Sequence, residues 1–455
     1  MSKIKNRYHP YQNKELGLFI QTLEDQYSIT DEIDFFSKLV NFSKNVDTPY
    51  HRWFKYREGF SHTLVSELIK RSEITPDEYV IDPFCGSGTT ILEAKKSGYS
   101  GVGIDINPMS AFTSLVKCRN YSISEIQEIE DCFTEIEVHL YQEKLGEVIQ
   151  EKYASQGKYF NSHNFQQLLL IRQVIERNDI KTKQKVFDFF LCAYLCIIEE
   201  VSDRKKDGNG LRTRISKVTN VIDHYYEQVK MMLDDIKNRG LESSTFSEVK
   251  SGKATHMVSI CNDFIDSKII PGVIIYSPPY PNSFDYFESY KMELFLGDFV
   301  SDSKELANLR GQAIHSFVRP NGQSQIVPEY ITWMSQEIKD SIPQKEERTG
   351  KKDTRTRKVP DMIKGYFADM EEVVKQSSQV LSVGKKCYIV VDQSAYLGKI
   401  VPTDLFLAKI AENYGFDVEE IIVCRKARTS PQQLKLYPYL NDLLRESIVV
   451  LRKLG

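Results

Sequence analysis

The sequence has few of the features that mark membrane, secreted or zinc-binding proteins. No apolar run approaches the ~20 residues that a membrane-spanning helix needs, and the opening segment MSKIKNRYHPYQNKELG lacks the hydrophobic stretch of a signal peptide. The 8 cysteines are scattered without a C-x-x-C pair, a distribution that favours reduced thiols over disulfides or zinc. These absences predict a cytoplasmic protein with no membrane partner and no bound metal.

An excess of one charge is also lacking, because 60 Lys and Arg residues nearly balance 63 Asp and Glu residues and leave a net charge of −3. Such a balance does not by itself indicate a nucleic-acid-binding protein. Three segments, however, are locally basic and rich in turn-forming residues: 203–214, 351–358 and 424–433. Each is equally well interpreted as a solvated loop, but together they favour a local binding surface for nucleic acid.

Short apolar segments alternate with amphipathic ones and predict an α/β fold with a doubly wound, mostly parallel sheet. Two helices are expected within residues 1–50. The last two predicted strands follow each other without a strong helix, which predicts an antiparallel pair at one edge of the sheet. The strands are expected within residues 78–82, 99–105, 256–263, 272–276, 385–392, 418–425 and 446–453.

Two long interruptions of this pattern predict regions inserted at loops of the sheet. We expect an N-terminal helical segment at 1–50, a first part of the core at 51–119, a helical insert at 120–252 and a second part of the core at 253–455. A second insert, at about 281–360, interrupts the last part.

A glycine-rich turn, DPFCGSGTT at 82–90, follows the first predicted strand, where ligands bind in doubly wound sheets. Gly86 and Gly88 allow the backbone to turn tightly and approach a ligand. The turn lacks the Lys-Ser/Thr of a P-loop and the G-x-G-x-x-G spacing of a dinucleotide site. Asp105 ends the second predicted strand, where a carboxylate can accept both hydroxyls of a ribose. Asp263 either meets an adenine amino group or simply caps a helix.

The segments DPFCGSGTT, GIDINP and SPPY together resemble the amino-methylating DNA methyltransferases, whose signatures are D-P-F-x-G-S-G-T and (S/N/D)-P-P-(Y/F/W). The resemblance covers residues 50–120 and 255–455. It implies a Rossmann-like methyltransferase sheet, S-adenosylmethionine as cofactor and double-stranded DNA as substrate. The aromatic segment 52–69 is similar to one that completes the cofactor pocket in this family. The implied cofactor site comprises Phe60, Ser61, Asp82, Pro83, Phe84, Gly86, Gly88, Thr89, Asp105, Ile106, Asp263 and Phe264.

The tetrapeptide Ser277-Pro278-Pro279-Tyr280 ends a predicted buried strand, since neither proline can donate to a sheet. The resemblance implies that these four residues are catalytic. The Ser277 hydroxyl and the Pro278 carbonyl can each accept a bond from an exocyclic amine, which turns its lone pair toward the methyl donor. Tyr280 offers a face on which a flipped base can stack.

Serine at the first position of this tetrapeptide is typical of the cytosine-N4 enzymes of the family, so N4 methylation of cytosine is favoured. Adenine-N6 methylation is the first alternative, and methylation of an RNA amine or a non-catalytic binding module are weaker ones. Cytosine-C5 chemistry is disfavoured, because no Pro-Cys dipeptide supplies its nucleophile. The resemblance implies restriction–modification or phage defence in a prokaryotic cytoplasm, with any cognate endonuclease on a separate chain.

The resemblance makes the helical insert at 120–252 a possible target-recognition region and implies that the insert at about 281–360 contacts DNA. Basic residues of both inserts are candidate DNA contacts. The order of the two signatures leaves open which insert reads the base sequence, and His315 is more often a packed or surface histidine than a DNA ligand. The candidates are Lys205, Lys206, Arg212 and Arg214 in the helical insert, and Arg319, Arg355 and Arg357 in the second insert.

Overall fold

The computed structural model describes residues 11–207, 210–238, 240–241, 244–262, 269–319, 325–350, 352–427 and 429–455. Within these ranges the strands, numbered in chain order, are β1 (Ile29–Asp31), β2 (Glu78–Asp82), β3 (Ser100–Asp105), β4 (Arg204–Asp207), β5 (Gly210–Thr213), β6 (Ser247–Ser251), β7 (Ile270–Tyr276), β8 (Lys386–Asp392), β9 (Ser394–Tyr396), β10 (Lys399–Val401), β11 (Phe416–Lys426) and β12 (Arg445–Lys453).

Eight of these strands form one sheet in the order β1–β11–β12–β8–β7–β2–β3–β6. All neighbours are parallel except β12, which runs antiparallel to both β11 and β8. The predicted α/β fold and the predicted antiparallel pair are therefore confirmed. The pair does not form the edge, because β1 from the N-terminal segment adds beyond β11.

Helices surround the sheet and fill both inserts. The α-helices are α1 (Lys14–Gln26), α2 (Ile33–Phe36), α3 (His62–Arg71), α4 (Thr89–Lys96), α5 (Pro108–Cys118), α6 (Ile123–Gln142), α7 (Glu147–Tyr153), α8 (Ser162–Ile175), α9 (Asn178–Lys181), α10 (Gln184–Val201), α11 (Val221–Asn238), α12 (Met257–Asn262), α13 (Tyr286–Ser289), α14 (Lys291–Leu296), α15 (Ser303–Gln312), α16 (Glu329–Asp340), α17 (Ile342–Thr349), α18 (Val359–Val380), α19 (Thr403–Glu412), α20 (Pro431–Leu436) and α21 (Leu440–Leu443). Shorter 3-10 turns are Phe42–Asp47, His51–Trp53, Ala154–Tyr159, Ala254–His256 and Thr356–Lys358. Across the described part of the chain, no helix combines the length and apolarity that crossing a membrane requires.

The prediction of a strand at 256–263 is wrong. Of its described residues, His256 ends a 3-10 turn and 257–262 form α12. Met257 and Cys261, four residues apart, are both buried, which is helical spacing. The sheet strand in this part of the chain is β6, which pairs with β3. Only Val249 of β6 is buried, so the sequence shows no alternation of apolar and polar residues there. The expected helical insert at 120–252 thus ends with a strand of the central sheet.

Alternate residues of the central strands serve two separate cores on the two faces of the sheet, as the period of a strand requires. Ile81 and Ile274 belong to one core, and Val80 and Val273 belong to the other. A third core lies inside the helical insert and extends to α5 and α14. This shared packing holds the helical insert firmly beside the glycine-rich turn.

Candidate active site

Four polar residues gather where four neighbouring strands end. β3, β2, β7 and β8 are adjacent and parallel, so their carboxyl ends meet at one edge of the sheet. Asp82 ends β2, Asp105 ends β3 and Asp392 ends β8, while Ser277 directly follows β7. This is the edge at which open α/β sheets bind ligands.

The glycine-rich turn is shaped by two close approaches. Gly86 and Gly88 have φ values of 51° and 85°, a region that disfavours other residues. A Cβ atom on Gly86 would lie 2.8 Å from the Tyr56 ring, and one on Gly88 would lie 2.3 Å from the Ser114 hydroxyl. The turn therefore packs tightly against Tyr56 on one side and against α5, which carries Ser114, on the other.

Two buried carboxylates hold this turn in place. The carboxylate of Asp105 accepts bonds from the backbone N–H groups of Gly86 (2.9 Å) and Asn107 (2.8 Å). Asp82 accepts bonds from the N–H of Phe84 (2.9 Å) and the hydroxyl of Thr90 (2.5 Å).

Burial raises the pKa of Asp82 to about 7 and that of Asp105 to about 6. Desolvation disfavours the charged form of a carboxyl group. A ligand that donates hydrogen bonds or carries positive charge would therefore interact favourably with the ionised forms of both residues.

A cavity, which we call the cofactor cavity, opens between this turn, the segment 56–60 and the second insert. Of the expected cofactor residues, seven line it: Phe60, Asp82, Phe84, Gly86, Thr89, Asp105 and Ile106. Pro83 and Gly88 shape the turn from outside the lining. Asp263 and Phe264 lie outside the described residues.

Ser61 is a correction to the expected cofactor site, because its hydroxyl has a structural use. The hydroxyl accepts a bond from the N–H of Leu64 (3.3 Å) as the N-cap of α3, and it donates to the carbonyl of Leu39. A side chain occupied in this way caps a helix and does not line the cofactor cavity.

Sequence reasoning missed two residues of the aromatic segment that line the cofactor cavity, Tyr56 and Glu58. The Tyr56 ring stacks on Tyr290 with a centroid distance of 5.3 Å and an angle of 9°. The Tyr290 hydroxyl donates to the carboxylate of Glu58 (2.5 Å), whose pKa is raised by burial. Tyr290, which contacts both Tyr56 and Glu58, is more than 200 residues away in the chain. No local motif therefore marked these two residues.

The Ser-Pro-Pro-Tyr segment lies between the cofactor cavity and a second one. Ser277 lines both cavities, Pro279 lines the cofactor cavity and Tyr280 lines the second. The hydroxyl oxygens of Ser277 and Tyr280 are 3.0 Å apart and hydrogen-bonded. The Ser277 hydroxyl is therefore positioned where contents of the two cavities would meet.

The second cavity, which we call the clamp cavity, has a volume of about 430 Å³. Asp392, Arg425 and Glu446 line it opposite Ser277. Arg425 donates to Glu446 through its Nε atom. Burial and the negative charge of Glu446 raise the pKa of Asp392 well above its usual value, against the opposing effect of Arg425. No sequence motif marks these three residues, because they come from three different strands.

The helical insert uses two of its predicted DNA-binding residues internally. Lys206 is buried, with its ammonium 2.5 Å from the carboxylate of Glu293 and 3.9 Å from the centre of the Tyr290 ring. Arg214 donates to the carbonyl oxygens of Glu199 (2.6 Å) and Glu200 (3.1 Å). The prediction that Lys206 contacts a DNA phosphate is therefore wrong, because its charge is compensated inside the protein.

Lys205 and Arg212, by contrast, have exposed side chains. They lie on the hairpin formed by β4 and β5, with Arg212 paired to Asp207 at 3.5 Å. Their position permits the phosphate contact expected of them, and that role stays a prediction.

The candidates of the second insert stabilise loops next to the two cavities. Arg319 donates to the carbonyls of Gly311 (3.0 Å) and Ala313, and Arg355 donates to the carbonyl of Ser283 (3.2 Å). Arg357 forms an exposed ion pair with Glu346. In the same insert, the Nδ1 atom of His315 is 2.7 Å from Asp369.

One group of residues outside these cavities has side chains of the types that bind metal ions in other proteins. His51, His62 and Glu93 approach one another, with His51 Nε2 2.7 Å from Glu93 Oε1. The ammonium of Lys96 lies 3.1 Å from the same oxygen, and the Ser66 hydroxyl donates to the other (2.7 Å). Glu93 is thus already compensated by a cation, which does not favour a metal ion there.

The sequence of the chain matches one family model and several known proteins. The family described as DNA methylase matches residues 3–111. The chain is 29% identical over 478 residues to the type II methyltransferase M.AvaI of Nostoc sp., with 97% of this chain and 94% of that protein covered. It is 26% identical to M.BsoBI of Geobacillus stearothermophilus (95% and 91% covered) and 22% identical to M.MvaI of Kocuria varians (84% and 87% covered).

These matches, together with the two signatures at the ends of β2 and β7, support an amino-methylating DNA methyltransferase of the N4/N6 family. The protein uses the methyl donor of that family, S-adenosylmethionine. The cofactor cavity fits this molecule chemically. Its ribose can donate to the buried carboxylate of Asp105, and its positively charged groups suit a cavity that also contains Asp82 and Glu58. The family and the cofactor inferred from the sequence are confirmed.

Proposed function

We propose that this enzyme methylates the exocyclic N4 amine of cytosine in double-stranded DNA. The observation that carries the proposal is the Ser277 hydroxyl, which lines both the cofactor cavity and the clamp cavity. The names of its relatives as type II methyltransferases support a role in restriction–modification. Such a role belongs in a prokaryotic cytoplasm, with a cognate endonuclease on a separate chain.

We assign cofactor binding to residues at the ends of β2 and β3. Asp105 would accept bonds from the ribose hydroxyls, while Gly86 lets the backbone approach closely. Phe60, Phe84 and Ile106 supply apolar surface for an adenine ring. The bound S-adenosylmethionine would supply an electrophilic methyl group next to Ser277.

The clamp would activate the target amine by orienting its lone pair. The Tyr280 hydroxyl, 3.0 Å from that of Ser277, can donate to it and so leave a serine lone pair for an amine N–H. The carbonyl of Pro278 would accept the other N–H. Two such bonds favour a pyramidal nitrogen whose lone pair points toward the cofactor cavity, and a rigid Pro-Pro backbone is already oriented before reaction.

Arg425 supports cytosine over adenine as the base in the clamp cavity. Cytosine carries an acceptor oxygen, O2, on the same edge as its amine, whereas adenine carries a C–H group at the corresponding place. A guanidinium has five N–H donors, and the one that faces Glu446 leaves others for a base. An arginine in this cavity would therefore bind cytosine with a hydrogen bond that adenine cannot accept.

Asp392 would receive the proton that the amine loses after methyl transfer. It lines the clamp cavity, and its raised pKa makes it a better proton acceptor than an ordinary aspartate. Burial also raises the pKa of Glu446 beside it, and the ion pair with Arg425 opposes that effect by favouring the charged form.

The proposal is tested by mass spectrometry of nucleosides from the DNA of cells that express this chain. We expect N4-methylcytosine in cells with the wild-type chain and much less of it in cells with the Ser277→Ala variant. N6-methyladenine in its place would show that adenine is the target. Methylation confined to RNA would overturn the assignment of DNA as the substrate.

A further inference from the structure

A third cavity, of about 580 Å³, adjoins the clamp cavity. The two share three lining residues: Asn282, Phe284 and Asp392. The rest of its wall comes from the second insert, from the β9–β10 region and from the segment 429–437 around α20. The cofactor cavity, the clamp cavity and this third cavity thus form a path that leads to the protein surface.

We infer that this third cavity, the flanking-base cavity, binds the nucleotide next to the flipped target base. The second insert and the segment 429–437 would then read the DNA sequence, and the helical insert would not. The inference rests on the proposed function, because it needs a flipped base of DNA in the clamp cavity.

The side chains of the flanking-base cavity have the chemistry that a nucleotide requires. Gln432, which is exposed, carries an amide group that can read a base edge through a paired donor and acceptor, while the amide of Gln433 donates to the carbonyl of Ala395 (2.7 Å). Phe284 and Tyr437 offer aromatic faces for stacking. Arg355, exposed at the same cavity, is suited to a phosphate oxygen.

The acidic and basic residues of this cavity balance one another. Its acid Asp353 is compensated by Lys345 and by the hydroxyl of Thr356. Its other acid, Asp392, lies at the boundary with the clamp cavity, which Arg425 also lines. The exposed guanidinium of Arg355 is therefore the basic group of this lining that is best placed to meet a phosphate oxygen.

The helical insert lacks a comparable place in the path. Within the described ranges, none of the residues lining the three cavities belongs to 120–252. Its hairpin instead directs Lys206 inward, against Glu293 and Tyr290. Through Glu293 and Tyr290 this insert therefore supports the wall of the cofactor cavity, which it does not line itself.

Photo-crosslinking tests the inference directly. After the methylated motif is determined for the wild-type chain, a duplex is made with 5-iodouracil or 5-iodocytosine at each position beside the target base. Irradiated complexes are digested and the crosslinked peptide is identified. We expect crosslinks in peptides that contain Phe284, Tyr396 or Tyr437. Crosslinks mapping to residues 120–252 would overturn the inference and make the helical insert the recognition region.

Two matched pairs of variants give an independent measurement. Gln432→Ala should relax the methylated motif at one position beside the target base, and Gln127→Ala, an exposed glutamine of α6, should leave the motif unchanged. Arg355→Ala should weaken duplex binding about 10-fold, as expected for one charge-assisted bond, while Lys230→Ala, an exposed position on α11, should change it less than about 2-fold. An altered motif or the larger loss of affinity in the helical-insert variants would contradict the inference.

The outcome is separable from that of the proposed function. The identity of the methylated base is read from nucleosides, whereas the crosslink is mapped to peptides. A crosslink in Phe284 beside a methylated adenine would keep the flanking-base cavity and reject only cytosine as the target.

Discussion

Replacement of Asp105 by asparagine tests how the ends of β2 and β3 bind the cofactor. The substitution keeps the size of the side chain but removes its charge. Asp105 accepts two backbone N–H bonds, from Gly86 and Asn107. In Asp105→Asn the amide NH₂ must face one of these donors or the ribose, so at least one charge-assisted bond is lost.

A hydrogen bond to a charged group is worth about 1.5–3 kcal/mol. Asp105→Asn should therefore weaken binding of S-adenosylmethionine by roughly 10- to 150-fold. Isothermal titration calorimetry measures this change, and Asp417→Asn, an exposed position on β11, is the matched control. Wild-type affinity in Asp105→Asn would refute the ribose contact.

The pH dependence of the same titration carries further information. Burial raises the pKa of Asp105 to about 6 and that of Asp82 to about 7. A ligand that needs the ionised carboxylates binds well above these values and loses affinity as the pH falls through them. The wild-type affinity should decrease between pH 7 and 6, and the decrease should be smaller in Asp105→Asn. An affinity independent of pH over this range would contradict a role for these ionised groups.

The other predictions concern the clamp and the helical insert. Ser277→Ala should lower kcat by about 10²- to 10³-fold with little change in cofactor affinity, because the bond from the target amine to the Ser277 hydroxyl strengthens in the transition state. Steady-state kinetics measure this change, and wild-type turnover in the variant would rule out the clamp mechanism. Asp392→Asn should lower turnover and flatten the rise of kcat with pH, whereas an unchanged pH profile would exclude Asp392 as proton acceptor. Lys206→Ala leaves Glu293 buried without its partner and should lower the free energy of unfolding by about 3–5 kcal/mol. Urea unfolding should show a change within about 0.5 kcal/mol for the exposed neighbour Lys205→Ala, and an equal effect of both variants would contradict the buried ion pair.

The sequence predicted those parts of the molecule that depend on local rules. The glycine-rich turn could be recognised because positive φ values require Gly86 and Gly88, whatever surrounds them. The end of β7 could be recognised because two prolines cannot continue a sheet. The place of Asp105 in the site could be predicted because the carboxyl ends of parallel strands meet at one edge of the sheet.

Features that depend on distant contacts were not predictable. β6 is a strand because β3 offers it an edge, and its own residues show no strand pattern. The basic residue Lys206 looks like a DNA contact in sequence, but its partner Glu293 lies 87 residues along the chain. The clamp cavity likewise joins Asp392 and Glu446 from antiparallel strands, which are paired in register in the sheet.

One measurement identifies the atom that receives the methyl group. Purified enzyme is incubated with isotope-labelled S-adenosylmethionine and a duplex that contains its motif, and the DNA is then digested to nucleosides and separated. We expect the label in N4-methyldeoxycytidine, with a rate of incorporation that falls about 10²- to 10³-fold when Ser277 is replaced by alanine. Label recovered as N6-methyldeoxyadenosine, or label incorporated at the wild-type rate by the Ser277→Ala variant, would contradict the proposed function.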